Sequence, residues 1–225
     1  TGFIDQNFDS VRSYRPELLL NDKNLGKKVL TTIEQELSTC DEFMFSVAFI
    51  TTSGIASLKQ TLKELEYRKV PGKILASQYL NFTQPEALRW LLNFKNIDLK
   101  IVTEGDFHSK GYLFRKGKFY DLIIGSSNLT ASALSSNKEW NLKVTATESS
   151  DLIAQSVASF NAEFMAATEV DATWLTTYDL YYRSQLERNR RVQMPFEGEV
   201  VKEIKPNLMQ REALENIQRL RKEGK

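Results

Sequence analysis

Apolar residues recur four apart between Asn24 and Leu37, at Leu25, Val29, Ile33 and Leu37, and this spacing predicts one face of an amphipathic helix. The next run, "EFMFSVAFI" from Glu42 to Ile50, is almost wholly apolar and reads as a buried strand. Ser53 is placed to cap a second helix, in which Ile55, Leu58, Leu62 and Leu65 keep the three-and-four spacing as far as Tyr67. Pro71-Gly72 then punctuates the chain before the strand "KILASQ". "TQPE" from Thr83 to Glu86 fits a capping box opening a helix through Leu88, Leu91, Leu92 and Phe94, and "IDLKIVTE" supplies a third strand. "HSKGYLFR" and "KFYDLIIGSS" are β-rich runs joined around a hairpin turn at Lys116-Gly117, and "EWNLKVTAT" gives another strand after a short helical or looped crossing. Two helices follow, over residues 149–167 and 171–190. This alternation predicts the α/β class, a mixed β-sheet flanked by helices on both faces.

Composition narrows the picture. With 225 residues, 41% of them hydrophobic and 11% aromatic, the chain can build a proper core. Thirty Lys and Arg stand against 29 Asp and Glu, a net charge of +1, which excludes a global basic field drawing the protein to nucleic acid or anionic lipid. Any site for a polyanion must therefore be local. A single cysteine, Cys40, cannot form an internal disulfide and reads as a half-buried small apolar residue. Together with the lack of a long apolar segment or signal-like start, it sets the expectation of a reducing, cytoplasmic location. The chain begins at Thr1 and stops at "RLRKEGK" partway through a helical pattern, so a piece of a longer protein is expected.

The candidate chemistry lies between Phe107 and Trp140. His108, the one histidine in the sequence, and Lys110 form H-x-K. Gly125-Ser126-Ser127-Asn128 follows, and Glu139 comes eleven residues after the asparagine. On a strand, residues two apart share a face, so His108 and Lys110 are expected to look out of the same side. Lysine offers a compact positive charge to a phosphate oxygen, the asparagine amide a neutral donor, and the imidazole either attacks phosphorus or carries a proton. A carboxylate such as Glu139 can accept from the imidazole Nδ1–H and leave Nε2 free. H-x-K alone arises by chance, and a lone histidine is ordinarily a satisfied surface or core residue. The ordered addition of G-S-S-N and the glutamate tips the reading towards function. Asn128 is equally explained by capping, and Ser126 and Thr130 more simply by turn chemistry.

These residues resemble the phospholipase D superfamily, whose members share H-x-K and G-S-x-N, here "HSK" and "GSSN". The family usually carries an aspartate five residues after the lysine, a position held here by Arg115. The resemblance extends over residues 20 to 167 and is closest in character to the branch fused ahead of superfamily 2 helicases. It implies a phospholipase D-like fold and metal-independent cleavage of DNA phosphodiesters in two steps. One histidine forms a phosphohistidine while a second protonates the leaving oxygen and then activates water. One histidine per chain then implies a homodimer with a shared active site, to which His108, Lys110, Asn128 and Glu139 each contribute twice. No metal is implied, because the lysines and amides supply the electrostatic stabilisation. Ser126, Ser127, Thr130 and Arg115 are further candidates for substrate binding, although a solvated hairpin tip also explains Arg115.

Residues 1–190 are thus expected to form the nuclease domain, and 191–225 a linker and the first helical segment of a helicase core, with Gln210 where such cores read adenine. No G-x-x-x-x-G-K-[ST] occurs, so ATP and Mg are expected only for the missing helicase core, and this fragment needs no cofactor. Two alternatives stand beside the nuclease: a catalytically weak DNA-binding and dimerisation module, and a lipid phosphodiesterase. The latter ranks last for want of a basic amphipathic helix, so no membrane partner is expected.

Overall fold

The computed structural model describes residues 14–78 and 82–193, with side chains described as far as Arg188. The chain divides into two compact units, Thr1–Gln185 and Leu186–Lys225, and the sheet belongs to the first. Residues 194–225, with Gln210 and the helicase-like segment, lie outside the described residues.

In chain order the elements are β1 (Glu17–Leu19), α1 (Val29–Thr39), β2 (Glu42–Val47), α2 (Thr52–Tyr67), β3 (Gly72–Ser77), α3 (Pro85–Leu91), β4 (Ile97–Val102) and β5 (Lys110–Lys116). There follow β6 (Phe119–Gly125), α4 (Ala131–Ser135), β7 (Asn141–Thr147), α5 (Asp151–Ala166), β8 (Thr168–Glu169) and α6 (Ala172–Gln193). The strands make one eight-stranded sheet in the order β1-β7-β6-β5-β2-β3-β4-β8. β2, β3 and β4 run parallel, while β5 lies antiparallel to β2, β6 to β5 and β7 to β6. The mixed sheet of the sequence reading is confirmed. The period of two explains how it is covered. Phe43 and Phe45 point to one face with Ile74, Ile101, Tyr112 and Phe114, under Ile33, Leu37, Ile55, Leu58 and Leu62 of α1 and α2. Met44, Leu75, Leu113 and Leu122 point to the other, under Ile153, Phe160 and Phe164 of α5. Phe45 sits at the centre of the larger core, its ring 4.9 Å from that of Tyr112 and 5.1 Å from that of Phe43.

Several local expectations give way to tertiary hydrogen bonding. The first helix starts at Val29 and not at Asn24, because the Asp22 carboxylate accepts from the N–H groups of Asn24 and Leu25 and turns the chain. The cap of α2 is Thr51, which accepts from Gly54 N at 3.2 Å, in place of Ser53. Thr83 makes no capping box: its buried hydroxyl donates to the Ser77 carbonyl, and Gln84 precedes Pro85, which needs no donor at the helix start. Gln84 instead accepts from Thr52 N at 2.7 Å, tying α3 to the start of α2. The hairpin turn falls at residues 117–118, one later than expected, with Gly117 at φ 58°. The edge strands β1 and β8, three and two residues long, were beyond the reach of a periodicity argument. Cys40 is fully buried, and burial pushes its thiol up to about 11 despite Arg68 and Lys116 nearby.

At the end of the sheet away from the site, Glu36 of α1 accepts from Lys116 and, at 2.6 Å, from Lys143. Lys116 also reaches Asp121 at 3.0 Å, and Thr145 donates to the same carboxylate. Burial acts to raise Asp121, but the Thr145 and Lys116 hydrogen bonds outweigh it and hold the carboxyl below its usual value. This contribution to stability is therefore complete above the unfolded value of about 4 and lost as the pH falls below it. Lys143→Met leaves the buried Glu36 short of one cation and is expected to cost about 3 kcal/mol in denaturant unfolding.

Candidate active site

The sheet order brings the C-terminal ends of β2 and β6 together with the N-terminal ends of β5 and β7. Val47 is paired with Lys110, and Gly125 with Asn141. Beyond the strands the backbone stays joined: Ile50 bridges Leu129 in parallel, and Thr51 N donates to the Leu129 carbonyl at 3.1 Å. All the residues singled out between His108 and Glu139, except Arg115, fall at or just below this edge.

His108 precedes β5 and lies in the irregular stretch 103–109, not on the strand as expected. The chain is tied there by Ser77, whose hydroxyl donates to the carbonyls of Ala48 at 2.7 Å and Phe107 at 3.4 Å, while the Phe107 ring packs beside the smaller core. The same-side relation survives the loss of strand geometry. Lys110 Nζ lies 2.9 Å from His108 Nδ1 and 3.3 Å from Nε2, and donates to the His108 carbonyl at 2.8 Å. The imidazole is exposed and the lysine half-buried. Burial holds the Lys110 ammonium below its ordinary value, with the Glu139 charge pulling it back up.

The G-S-S-N segment is built by close packing. A Cβ on Gly125 would come 2.2 Å from the Trp140 carbonyl oxygen, so only glycine lets β6 run this close to the start of β7. Ser126 N then donates to the Trp140 carbonyl at 3.1 Å, its hydroxyl accepts from Trp140 N at 3.0 Å, and that hydroxyl donates to Glu139. Ser127 is buried: its N–H donates to Asn141 Oδ1 at 3.2 Å, its hydroxyl accepts from Asn141 Nδ2 at 2.9 Å, and its carbonyl accepts from the Tyr112 hydroxyl at 2.9 Å. Asn141 is the residue the sequence reading missed, since its asparagine amide looks like ordinary strand-start polarity. Asn128 is also buried, and Phe49 N donates to its Oδ1 at 3.2 Å, which leaves the amide NH2 as the end free to donate. Thr130 caps α4 by accepting from Ala133 N at 3.1 Å.

Ser126, Asn128, Thr130 and Glu139 thus line one cleft of about 320 Å³, walled further by Phe49, Thr51 and Ser53. His108 and Lys110 are not among the residues that line it, but the register that sets Gly111 against Ile124 carries Lys110 alongside Gly125, the residue before Ser126 of the cleft. Two other candidates are not brought to it. Ser127 lies beneath the surface, supporting the loop through Asn141 and Tyr112. Arg115 is at the opposite end of β5, roughly 16 Å along the strand from Lys110, with its Nε 3.1 Å from a Glu42 carboxylate oxygen. Among the described residues no group of three His, Cys, Asp or Glu side chains converges as a metal site would need. No described helix is long and apolar enough to cross a membrane.

The family model described as cardiolipin synthase, PLD-like domain, matches residues 33–164. NucT from Helicobacter pylori is similar in structure, at 15% identity and a TM-score of 0.56 over 70% of this chain and 99% of that one. Nuc from Salmonella typhimurium, a phospholipase D family member, matches at 14% identity and 0.56 over 70% and 100%. Phosphatidylserine synthase of Haemophilus influenzae gives 0.59 at 14% identity, over 79% of this chain but 45% of that one. Among curated proteins none matches the chain.

Proposed function

From the premise that this chain belongs to the PLD-like domain family, a family of phosphodiester-cleaving hydrolases, we propose that it is a metal-independent nuclease domain acting on DNA. The observation that carries the reading is the exposed His108 ring against Lys110 Nζ, at the sheet edge where a cleft lined by Asn128 and Glu139 also opens. In the proposed reaction, one copy's His108 attacks phosphorus through a ring nitrogen, and the bond from phosphorus to the leaving oxygen breaks. The second copy's His108 gives that oxygen its proton. Water then attacks the phosphohistidine, the P–N bond breaks, and the second histidine takes the water's proton back. Lys110 and the Asn128 amide hold the charge that builds on the equatorial oxygens. The Glu139 charge pulls the Lys110 ammonium back up towards its ordinary value, and Glu139 is assigned to orient the imidazole. Ser126 holds Glu139, and Ser126 and Thr130 remain within reach of a substrate in the cleft. Because each chain has one histidine, the working species is a homodimer with one shared site.

The near-complete coverage of Nuc and NucT supports a unit of this size. Residues 1–190 are the nuclease domain, and 191–225 lead towards a helicase core that would bind ATP and Mg. Incubation with DNA in excess chelator tests the reaction, and sedimentation tests the dimer. Cleavage that survives the chelator and a concentration-dependent dimer are expected. A protein that stays monomeric at all concentrations, or hydrolyses only phosphatidyl substrates, overturns the proposal.

The pH profile gives a second check. Glu139 raises Lys110, so Glu139→Gln lowers it further, and the alkaline limb of the kcat/KM profile is expected to move to lower pH. An unmoved limb would mean that Lys110 does not carry the required charge.

A further inference from the structure

We propose that the cleft beside His108 and Lys110 is a subsite for the base of an unpaired nucleotide, with Phe49 of its lining and Phe82, packed on Phe49 just outside it, as the stacking face, so that the domain selects single-stranded or locally melted DNA. This rests on the phosphodiesterase reading and extends it to the form of the substrate.

Apart from Asn128, which the proposed reaction gives to the scissile phosphate, the cleft has the chemistry of a base site and not of a second phosphate site. The rest of its lining carries hydroxyls and an amide, from Thr51, Ser53 and Asn137, and contains no lysine or arginine. The one charge in it is the carboxylate of Glu139, which disfavours a second phosphate there, while the scissile group is left to Lys110 and the Asn128 amide. A backbone-tracking groove would be basic, whereas a base edge and a sugar are matched by neutral donors and acceptors. At about 320 Å³ the cleft is at the small end of ligand sites and takes a single nucleotide, not a stacked pair.

The aromatic wall has a fixed position relative to the chemistry. Phe49 lines the cleft, and its backbone N–H is the group that holds Asn128 Oδ1, at 3.2 Å. The Phe82 ring packs on that of Phe49 with centroids 5.3 Å apart and 46° between planes, yet remains 52% exposed. An isolated exposed aromatic needs no explanation, but a ring pair tied to the asparagine assigned to the phosphate offers a face on which a flanking base can stack. Every base has such a face, so the subsite selects strandedness over sequence. A base in a duplex is already stacked and paired, and it reaches the cleft only by leaving the helix.

The test uses the whole chain in excess chelator, as wild type and as Phe82→Ala, with the unfolding transition of the variant checked alongside. Three substrates are compared: a single-stranded oligonucleotide, a blunt hairpin of the same sequence, and an oligomer of abasic deoxyribose phosphate. Wild type is expected to cut the single strand at least tenfold faster than the hairpin. Phe82→Ala should lose about tenfold in kcat/KM on the single strand and change less than twofold on the abasic oligomer. Equal rates on strand and hairpin, or an equal effect of the variant on all substrates, overturn the subsite. Loss of the dimer in Phe82→Ala on sedimentation also overturns it, by making the ring pair a contact between copies. If no substrate is cut at all, the nuclease reading fails by itself, and binding then decides the subsite. Quenching of 2-aminopurine in a bound single strand must weaken about tenfold in affinity in Phe82→Ala, and unchanged quenching refutes the stacking wall.

Discussion

His108→Ala is expected to lose at least about four orders of magnitude in kcat/KM for DNA cleavage while unfolding within about 0.5 kcal/mol of the wild type. The two halves of this expectation have separate causes. The ring is exposed, so truncating it opens no cavity in the core. The loss in rate follows from the proposed mechanism, in which the same residue serves as nucleophile in one copy and as proton donor in the other, so that a variant homodimer would lack both. Mixing sharpens the result. If each site needs both histidines, then activity after subunit exchange with the variant falls as the square of the wild-type fraction, to about a quarter at equal amounts. A linear fall would mean that one histidine suffices and that the copies do not share a site.

Gly54→Ala is expected to destabilise the domain by about 3 kcal/mol, lowering Tm by about 6–12 °C. An added Cβ would come 2.0 Å from the Leu129 carbonyl oxygen, 2.5 Å from its carbon and 2.9 Å from Thr130 Cα. All three are backbone atoms, so no rotamer change relieves the contact, and either α2 or the loop after β6 must move. That loop carries Asn128, and the Leu129 carbonyl also accepts from Thr51 N, so the folded fraction should lose activity too. Gly111→Ala is the control, because its Cβ meets only Ile124 Cγ2 at 3.8 Å and should cost less than about 0.5 kcal/mol. Equal effects at the two positions would show that Gly54 is not a packing constraint.

Gly54 also shows where local reading stops. In the sequence it is an unfavourable residue in the first turn of a helix, and nothing nearby says that a backbone 75 residues away rests on it. The cap positions failed for the same reason. Ser53 and Thr83 have the right side chains, but Thr51 and Gln84 hold the places because hydrogen bonds to Gly54, Thr52 and Ser77 compete for them. Ser127 and Arg115 were drawn in by adjacency to motif residues. In space, one supports the loop from below through Asn141, and the other pairs with Glu42 at the far end of its strand.

What the sequence determined by itself was the kind and order of the main elements, because periods of two and 3.6 report which residues face a core and need no knowledge of partners. It also determined the inventory of chemistry: one imidazole, a lysine two residues on, an asparagine after a glycine-bearing turn, and a later carboxylate. Only the tertiary structure decided where these meet. The order β7-β6-β5-β2 gathers four strand ends at one edge, Gly125 brings the start of β7 close enough for Ser126 to bond Glu139, and Phe49 comes from across the sheet to hold Asn128. Those contacts join residues far apart in sequence, and they are set by which faces the sheet and helices must bury together, a property that no single stretch of chain carries.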